Sequence, residues 1–370
     1  MGKLRVLVAM SGGLDSSLSA ILLKEQGYEV VGLTMKTWDY LSTGPKNGKE
    51  TGCCSLEAIH EARRIAVEWD FPHYVLDIRP EFGTEVIDYF TEAYLSGETP
   101  NPCVMCNTHI KWKALWKRAQ ALNCKQLATG HYARIRREEH RYVISRAHDR
   151  KKDQSYALWG VKQDYLKHTL FPVGGFSKDE VRKMASLRGM DRLVEKAESY
   201  EICFIPDNDY RRFLRDRVPE KVEKIGEGDF VLSDGTYVGK HKGYPFYTIG
   251  QRRGLDVALG YPVYVLEIDP THNRVVLGRA TELRKTCMRV GGLNMIKYDQ
   301  LPTRRMEALT QIRYNHRGEI SWIHQKDDKI ETVFHHPVEA ITPGQAAVFY
   351  EGDDVLGGGW IEREVDSSSL

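Results

Sequence analysis

The sequence predicts an α/β N-terminal domain with a parallel sheet and helices on both faces, followed by a small central domain and a C-terminal antiparallel β-barrel. Strand and helix patterns alternate through the first two hundred residues, and short strands joined by turns dominate after about residue 205. A chain of 370 residues is long for one hydrophobic core. We therefore expect three domains, at residues 1–205, 206–280 and 281–370.

The N-terminal domain begins with a βαβ unit. KLRVLVAM (3–10) is a continuous apolar run typical of a buried strand, SSLSAILLKEQG (16–27) has the pattern of an amphipathic helix ended by glycine, and YEVVGLTM (28–35) is a second strand. Further elements of this domain are expected as helices near 55–69, 82–96 and 109–122 and as strands at 73–78 and 126–130. Such alternation predicts a parallel sheet.

The C-terminal part is expected to be rich in β-structure. DYRRFLRDRV (209–218) has a helical pattern, and the stretches after it alternate apolar and polar residues between DG, DPTHN and EGDD turns. Short strands with regular turns are typical of a barrel.

Composition limits the classes of protein to which the chain can belong. The sequence contains no apolar run of the length that a membrane span needs, and its first residues predict a strand rather than a signal peptide. An odd number of cysteines, seven, argues against a secreted disulfide framework. We therefore expect a cytoplasmic protein with no membrane partner.

The net charge of +2 indicates no partner, but local charge is uneven. Residues 134–153 hold eight Lys or Arg against four Asp or Glu, and Arg304, Arg305, Arg313 and Arg317 form a second basic cluster. These clusters favour a polyanionic partner, whereas a solvated hairpin with paired charges explains 134–153 equally well.

The stretch AMSGGLDSS (9–17) lies between the first strand and helix. Its glycines allow a tight turn, and a helix N-terminus with serine hydroxyls favours an anion such as phosphate. The stretch is neither a Walker A loop nor a dinucleotide fingerprint. The alternative is a glycine-rich turn capped by Asp15 or Ser16.

The pair Cys103 and Cys106 in GETPNPCVMCNTHIKW (97–112) is ambiguous on its own. Zinc would need further ligands, for which His109, His131 and the pair Cys53 and Cys54 are candidates. An iron–sulfur cluster on Cys103, Cys106 and Cys203, or a redox pair opening a helix, are other possibilities. Cys203, between Ile202 and Phe204, is of a kind more often buried as a small hydrophobic residue.

Longer motifs carry a family resemblance. SGGLDSS resembles the SGGxDS signature of the PP-loop ATP pyrophosphatases. The chain is also similar, over more than three hundred residues, to the tRNA-specific 2-thiouridylases. The blocks that carry this resemblance are AMSGGLDSS (9–17), CCSLEAIHEARR (53–64), TPNPCVMCNTHIKW (99–112), ATGHYARI (128–135), KKDQSYALWGV (151–161), FPVGGFSKDEVR (171–182), SYEICFIPDNDYRRFL (199–214), YTIGQRRGL (247–255), VYVLEIDP (263–270) and QIRYNH (311–316).

The resemblance implies ATP-dependent 2-thiolation of the wobble uridine of tRNA, with ATP and Mg²⁺ as cofactors and no resident metal site. It assigns ATP to Ala9, Met10, Ser11, Gly12, Gly13, Leu14, Asp15, Ser16, Met35 and Gly130. It assigns the target base to Asn101, Pro102 and Cys103. It assigns tRNA to His131, Lys152, Asp153, Gln154, Ser155, Arg313, Tyr314 and Gln345.

The implied chemistry has two stages. ATP adenylates the uracil C2 oxygen, and sulfur then replaces AMP. The resemblance makes Cys203 the carrier of a persulfide delivered by a cysteine desulfurase or a relay protein, and Cys106 the nucleophile that releases its sulfur, leaving a disulfide between Cys106 and Cys203. Family members carry Asp or Cys at the position of Cys103, which speaks against Cys103 as the sulfur nucleophile.

Two other classes of function stay open from the residues alone. A PP-loop ligase that adenylates a small molecule would not need Cys106 or Cys203. A nucleotide-sensing or RNA-binding protein would bind ATP without releasing pyrophosphate.

Overall fold

A computed structural model describes residues 3–38, 55–196 and 202–363. Its residues fall into two compact units. The first unit contains the described residues up to Val86, Cys103–Asp209 and Asp353–Val355, and the second contains Ile87–Pro102, Tyr210–Gly352 and those from Leu356 onward. Cys53 and Cys54, named above as candidate ligands, lie outside the described residues.

The strands of the described residues are β1 (Arg5–Ala9), β2 (Glu29–Lys36), β3 (His73–Asp77), β4 (Gln126–Thr129), β5 (Ala133–Glu138), β6 (Arg141–Arg146), β7 (Thr169–Leu170), β8 (Gly228–Leu232), β9 (Tyr237–His241), β10 (Tyr264–Asp269), β11 (Arg274–Gly278), β12 (Arg284–Met295), β13 (Met306–Gln311), β14 (Glu319–Lys326), β15 (Lys329–Glu339), β16 (Ala346–Glu351) and β17 (Asp354–Ile361). The α-helices are α1 (Leu14–Glu25), α2 (Leu56–Glu68), α3 (Arg79–Phe82), α4 (Tyr89–Leu95), α5 (Pro102–Met105), α6 (Trp112–Ala121), α7 (Gln163–Leu166), α8 (Lys178–Ser186), α9 (Asp191–Glu195), α10 (Tyr210–Arg217) and α11 (Pro219–Ile225).

The first unit is built on a parallel sheet of strand order β3-β2-β1-β4-β7, as the βαβ pattern predicts. β1 lies between β2 and β4, and the side chains at its centre are buried. Its residues pack with one face of α1, including the fully buried Leu18 and Ile21. Continuous apolar strands of this kind are expected where both faces of a parallel sheet are covered.

Two predicted helices differ from the structure. α1 begins at Leu14 rather than Ser16, and its N-cap is Gly13 rather than Asp15 or Ser16, the caps named in the alternative interpretation of this turn. Both side chains instead lie in the first turn. The predicted helix 82–96 corresponds to the last residue of α3, the π-helical turn Gly83–Asp88 and α4, and the helical segment begins earlier, at Arg79.

The second unit contains two β-domains. A four-stranded sheet has the order β10-β11-β8-β9, with β11 and β8 parallel. A six-stranded antiparallel barrel follows the order β12-β15-β14-β13-β16-β17 and closes through pairing of β12 with β17. Closure removes the exposed sheet edges. The predicted small central domain and C-terminal antiparallel barrel are confirmed.

The basic stretch 134–153 contains the hairpin of β5 and β6 in the first unit. Arg134 and Arg150 pair with Asp353, and Arg136 pairs with Asp354. Three of its arginines are thus neutralised by carboxylates, which supports the hairpin interpretation of this segment. In the described part of the chain, no helix is long and apolar enough to cross a membrane.

His241 ends β9 in the buried part of the four-stranded sheet. Its ring packs against Phe230 and Tyr247, and its Nδ1 accepts the backbone N–H of Gly243 at 3.0 Å. Burial lowers the pKa of His241 to about 4. At neutral pH the imidazole is therefore uncharged.

We predict that His241→Asn makes unfolding less dependent on acid. The folded state holds His241 below its ordinary pKa, so its contribution is complete above about pH 6.5 and is lost as pH falls towards 4, by about 2 to 3 kcal/mol. Urea unfolding over this pH range should show that difference between wild type and the variant. His140→Asn, at an exposed histidine, is the control. Equal acid dependence in wild type and His241→Asn would contradict the prediction.

Candidate active site

The turn between β1 and α1 is compact. Gly12 adopts a φ of +69°, and a Cβ at this position would lie 2.1 Å from the carbonyl oxygen of Ala58. Only glycine combines this backbone conformation with so close an approach. The turn therefore brings the start of α1 against the first turn of α2.

Gly130 follows β4 and faces the same turn. A Cβ at Gly130 would lie 2.6 Å from the backbone nitrogen of Ser16. β4 and β2 flank β1 in parallel, with Ala9 opposite both Leu33 and Thr129. The carboxyl ends of these strands therefore meet at one edge, where open α/β sheets bind ligands. The sheet brings together Ala9–Ser16, Gly130 and the half-buried Met35 near the end of β2.

The start of α1 has the features of an anion site. The first N–H groups of a helix lack partners within the helix, and no side chain caps the N-cap Gly13. Ser16 Oγ accepts the Ser11 N–H and donates to Gly13 O, each at 3.1 Å, which fixes the turn from within. Backbone N–H groups and the helix dipole favour a phosphate there.

A buried polar cluster, missed by the sequence analysis, holds Asp15. Lys178 Nζ lies 2.7 and 2.9 Å from the two carboxylate oxygens, and the Tyr132 hydroxyl donates to one of them at 2.7 Å. Lys178 is only 6% exposed. The lysine neutralises a carboxylate that would otherwise repel an anion at the same helix end. Its position in FSKDEVR, one residue after the capping Ser177 of α8, was the available signal.

Cys106 begins a π-helical turn, Cys106–Lys111, between α5 and α6. Single π-helical turns occur often at functional sites, because the inserted residue redirects neighbouring side chains. Cys106 is 8% exposed, and the neighbouring Asn107 donates to Ala157 O at 2.9 Å. The predicted helix 109–122 is thus α6 preceded by this wider turn.

Cys103 and Cys106 differ in their surroundings. Cys103 is exposed and lies in α5. Protein atoms around its thiol raise the pKa by desolvation, and the Lys111 ammonium acts in the opposite direction. A raised pKa leaves Cys103 mostly protonated at neutral pH, which is unfavourable for a nucleophile.

The segments of Cys106 and Cys203 meet at one short helix. Phe204, next to Cys203, packs its ring at 76° against Phe82 of α3, with centroids 5.8 Å apart. The turn Cys106–Lys111 also contacts α3. Two cysteines 97 positions apart in the sequence are therefore carried by segments that pack on the same helix. Both are thiols, and no disulfide joins them in the structure.

Among the described residues, no group of three or more His, Cys, Asp and Glu side chains is arranged to hold a metal ion. Cys103, Cys106, Cys203, His109 and His131 are therefore not gathered into a metal site within this part of the chain. Cys53 and Cys54 lie outside the described residues.

His131 is enclosed by aromatic rings. It packs against Trp112 and Phe171, and its Nδ1 shares a 2.8 Å hydrogen bond with the Thr129 hydroxyl. Burial lowers its pKa well below the ordinary value, and Lys111 acts in the same direction. The ring is uncharged at neutral pH.

The segment Lys152–Ser155 is held by hydrogen bonds within the first unit. Asp153 accepts the Ala147 N–H and the Ser155 hydroxyl, each at 2.8 Å, and Gln154 accepts the Tyr132 N–H at 2.9 Å. Burial raises the pKa of Asp153. Ser155 is fully buried, whereas Lys152 is half-buried.

The remaining predicted residues lie in the second unit. Tyr314 is 49% exposed, and the Arg313 guanidinium donates to Glu339 O at 3.1 Å. The Gln345 side-chain amide donates to Thr99 O and Pro100 O, both at 3.0 Å. Gln345 thus contacts the segment that precedes Asn101 and Pro102.

Comparisons with known proteins agree with this architecture. A tRNA methyl transferase HUP domain model matches residues 4–207, a tRNA methyl transferase PRC-barrel domain model matches 211–279, and an aminomethyltransferase beta-barrel domain model matches 285–361. The fold and the glycine turn define a HUP-domain protein that carries two β-barrel domains.

The chain is similar along its length to curated relatives. It is 61% identical to a tRNA-specific 2-thiouridylase MnmA of Amoebophilus asiaticus, covering 98% of this chain and 96% of the relative. It is 58% identical to the protein of that name in Cytophaga hutchinsonii (97% of each chain), and 56% identical to that of Salinibacter ruber (97% of this chain and 94% of the relative). The chain belongs to the tRNA-specific 2-thiouridylases, an enzyme family.

We predict that Lys178→Met lowers the free energy of unfolding of the first unit by about 3 kcal/mol, because it leaves the Asp15 carboxylate without its cation in a largely buried site. Lys183→Met, at an exposed position of the same helix, should cost under about 0.5 kcal/mol. Urea unfolding followed by tryptophan fluorescence measures both. Equal effects of the two substitutions would show that the ion pair contributes nothing.

Proposed function

We propose that this enzyme uses ATP to thiolate the wobble uridine of tRNA at C2, with Cys203 as the carrier of sulfur and Cys106 as its partner. The observation that carries the proposal is the packing of both cysteine segments on α3, within the unit that also contains the glycine turn. Full-length similarity to tRNA-specific 2-thiouridylases supports the choice of substrate.

The first stage activates a poor electrophile. The uracil C2 oxygen attacks the α-phosphorus of ATP, which forms a C2–O–P bond and releases pyrophosphate. The N–H groups at the start of α1, among them that of Ser16, and the Ser11 hydroxyl bind the phosphates, and Met35 and Gly130 line the nucleotide. Lys178 keeps Asp15 from repelling them.

Mg²⁺ would enter with ATP, held by the phosphate oxygens that it prefers as ligands, because Lys178 already engages both oxygens of the Asp15 carboxylate. When bound, it neutralises charge on the pyrophosphate that leaves.

The second stage transfers sulfur. Cys203 carries a persulfide, and the Cys106 thiolate attacks the sulfur bonded to the Cys203 Cβ. A Cys106–Cys203 disulfide forms, and hydrosulfide leaves with the electron pair of the S–S bond. Hydrosulfide then attacks C2, and AMP leaves with the former uracil oxygen. A dithiol reductant restores both thiols, the state that the structure shows.

We assign the target base to Asn101, Pro102 and Cys103, as the family resemblance implies, and this segment directly precedes Cys106. We assign tRNA to both units, through His131 and Lys152–Ser155 in the first and through Arg313 and Tyr314 in the second. Exposed Tyr314 is suited to stack on a base, whereas uncharged His131 provides a neutral contact. Asp153, Gln154 and Ser155 act mainly by shaping their segment.

The sulfur donor in this proposal is a cysteine desulfurase or a relay protein, and the location is the cytoplasm. We retain 1–205, 206–280 and 281–370 as the proposed domain limits.

We predict distinct products for two cysteine substitutions. With ATP, Mg²⁺, desulfurase, cysteine and unmodified tRNA, Cys203→Ser should release pyrophosphate but form no 2-thiouridine. Cys106→Ser should accumulate a persulfide on Cys203 and lose about a hundredfold or more in 2-thiouridine formation. Peptide mass spectrometry and nucleoside analysis measure these outcomes, with the exposed Cys287→Ser as control.

The alternatives give other results. A ligase acting on a small molecule would turn over at full rate in both variants. A nucleotide-sensing protein would bind ATP and release no pyrophosphate. Full-rate thiolation by Cys203→Ser would overturn the proposed sulfur route.

A further inference from the structure

The segment Leu95–Asn101 links α4 to α5 and leads into Cys103 and Cys106. It contains Pro100 and precedes Pro102, so its backbone is restricted and poor in N–H donors. It lies in the second unit, although the sequence places it in the middle of the N-terminal domain. Hydrogen bonds from other parts of the second unit hold it there.

Side chains from distant parts of the second unit bind its carbonyl oxygens. The Tyr244 hydroxyl donates to Leu95 O. The Arg363 guanidinium donates to Ser96 O at 3.1 Å and to Gly97 O at 3.2 Å. Together with the two bonds from Gln345, five carbonyl oxygens of one short segment accept hydrogen bonds from residues of the two β-domains.

The two N–H groups beside Pro100 are also engaged. The Thr99 N–H donates to Pro343 O at 3.0 Å, and the Asn101 N–H donates to the Tyr89 hydroxyl. Burial raises the pKa of Tyr89 to about 12, so its hydroxyl keeps its proton at neutral pH. The five carbonyl oxygens and these two N–H groups are thus satisfied by the protein itself.

The turn that presents Gln345 is rigid. Gly344 has a φ of +86°, and a Cβ there would lie 3.0 Å from Thr99 O. The Gly344 N–H donates to Ile361 O, and the Ile361 N–H donates to Gln345 O at 2.8 Å. Pairing with Ile361 at the end of β17 therefore holds the turn that carries the Gln345 side chain.

We propose that Gln345 is a positioning residue of the sulfur-transfer site: its amide, with Tyr89, sets the backbone of Thr99–Asn101 and so the base-binding residues that follow. This inference rests on the proposed function for the role of Asn101. It assigns to Gln345 a task other than contact with tRNA, because both amide hydrogens are directed to protein carbonyls. The barrel then shapes the catalytic segment as well as binding RNA.

Gln345→Glu is the primary test, because it keeps the size of the side chain and replaces the donor with an acceptor facing two carbonyls. In the tRNA-free protein, amide hydrogen exchange at Thr99 and Asn101 should accelerate about tenfold or more. In thiolation assays, kcat should fall about tenfold while the KM for tRNA stays within about twofold. Exchange elsewhere in the barrel should be unchanged.

Gln325→Glu is the matched control. Gln325 uses only its side-chain oxygen, which accepts the Leu301 N–H at 3.1 Å, and glutamate retains that acceptor. Gln325→Glu makes the same chemical change in the same barrel. It should alter neither amide exchange at Thr99 and Asn101 nor the kinetics of thiolation. Tyr89→Phe is the second variant should Gln345→Glu fail to fold; it should accelerate exchange at Asn101 and leave Thr99 protected.

The exchange and kinetic results distinguish the positioning role of Gln345 from the proposed thiolation activity. Unchanged exchange with a raised KM for tRNA would overturn the positioning role, as would no change in either readout. Accelerated exchange with loss of kcat supports it. If the wild-type protein forms no 2-thiouridine, the proposed function fails, whereas the exchange experiment still tests the contact between Gln345 and the segment.

Discussion

The first unit depends on close packing at the N-terminus of α1. Gly12 allows the turn to approach α2, and Gly130 allows the end of β4 to approach Ser16. At these distances the backbone itself forms the wall of the site, and any side chain at either glycine would displace it. A carboxylate in the first turn stabilises the helix but repels an anion at the same place. The Lys178 ammonium neutralises the Asp15 carboxylate and so removes this repulsion. Steric and electrostatic constraints thus converge on one helix end.

The second constraint lies on the cysteine side. The segment that leads into Cys106 is bound through its carbonyl oxygens by Tyr244, Arg363 and Gln345, all from the C-terminal half of the sequence. Thiolation needs a base to be held while oxygen is exchanged for sulfur, so the segment at that base must keep one shape. The two β-domains hold this segment through hydrogen bonds to its carbonyl oxygens, and in our proposal the segment leads into the residues that bind the base.

Much of this architecture can be read from the sequence. The limits of β1 and α1 were predicted to within two residues, because apolar runs and glycine turns are local signals. The place of Ile87–Pro102 in the second unit was not predictable, since it depends on hydrogen bonds between residues about 150 to 270 positions apart. Gln345 had the pattern of an ordinary turn residue. Lys178 had the pattern of a solvated helix residue, and only the fold shows that it reaches Asp15.

In the mechanism proposed here, ATP activates the uracil carbonyl before sulfur enters. The fate of the oxygen atom tests this order, using a tRNA transcript whose wobble uridine carries ¹⁸O at C2. In a single turnover with ATP, desulfurase and cysteine, we expect one ¹⁸O atom in the phosphate of AMP for each 2-thiouridine formed. Unlabelled AMP, with the label released to water or retained in the base, would contradict it.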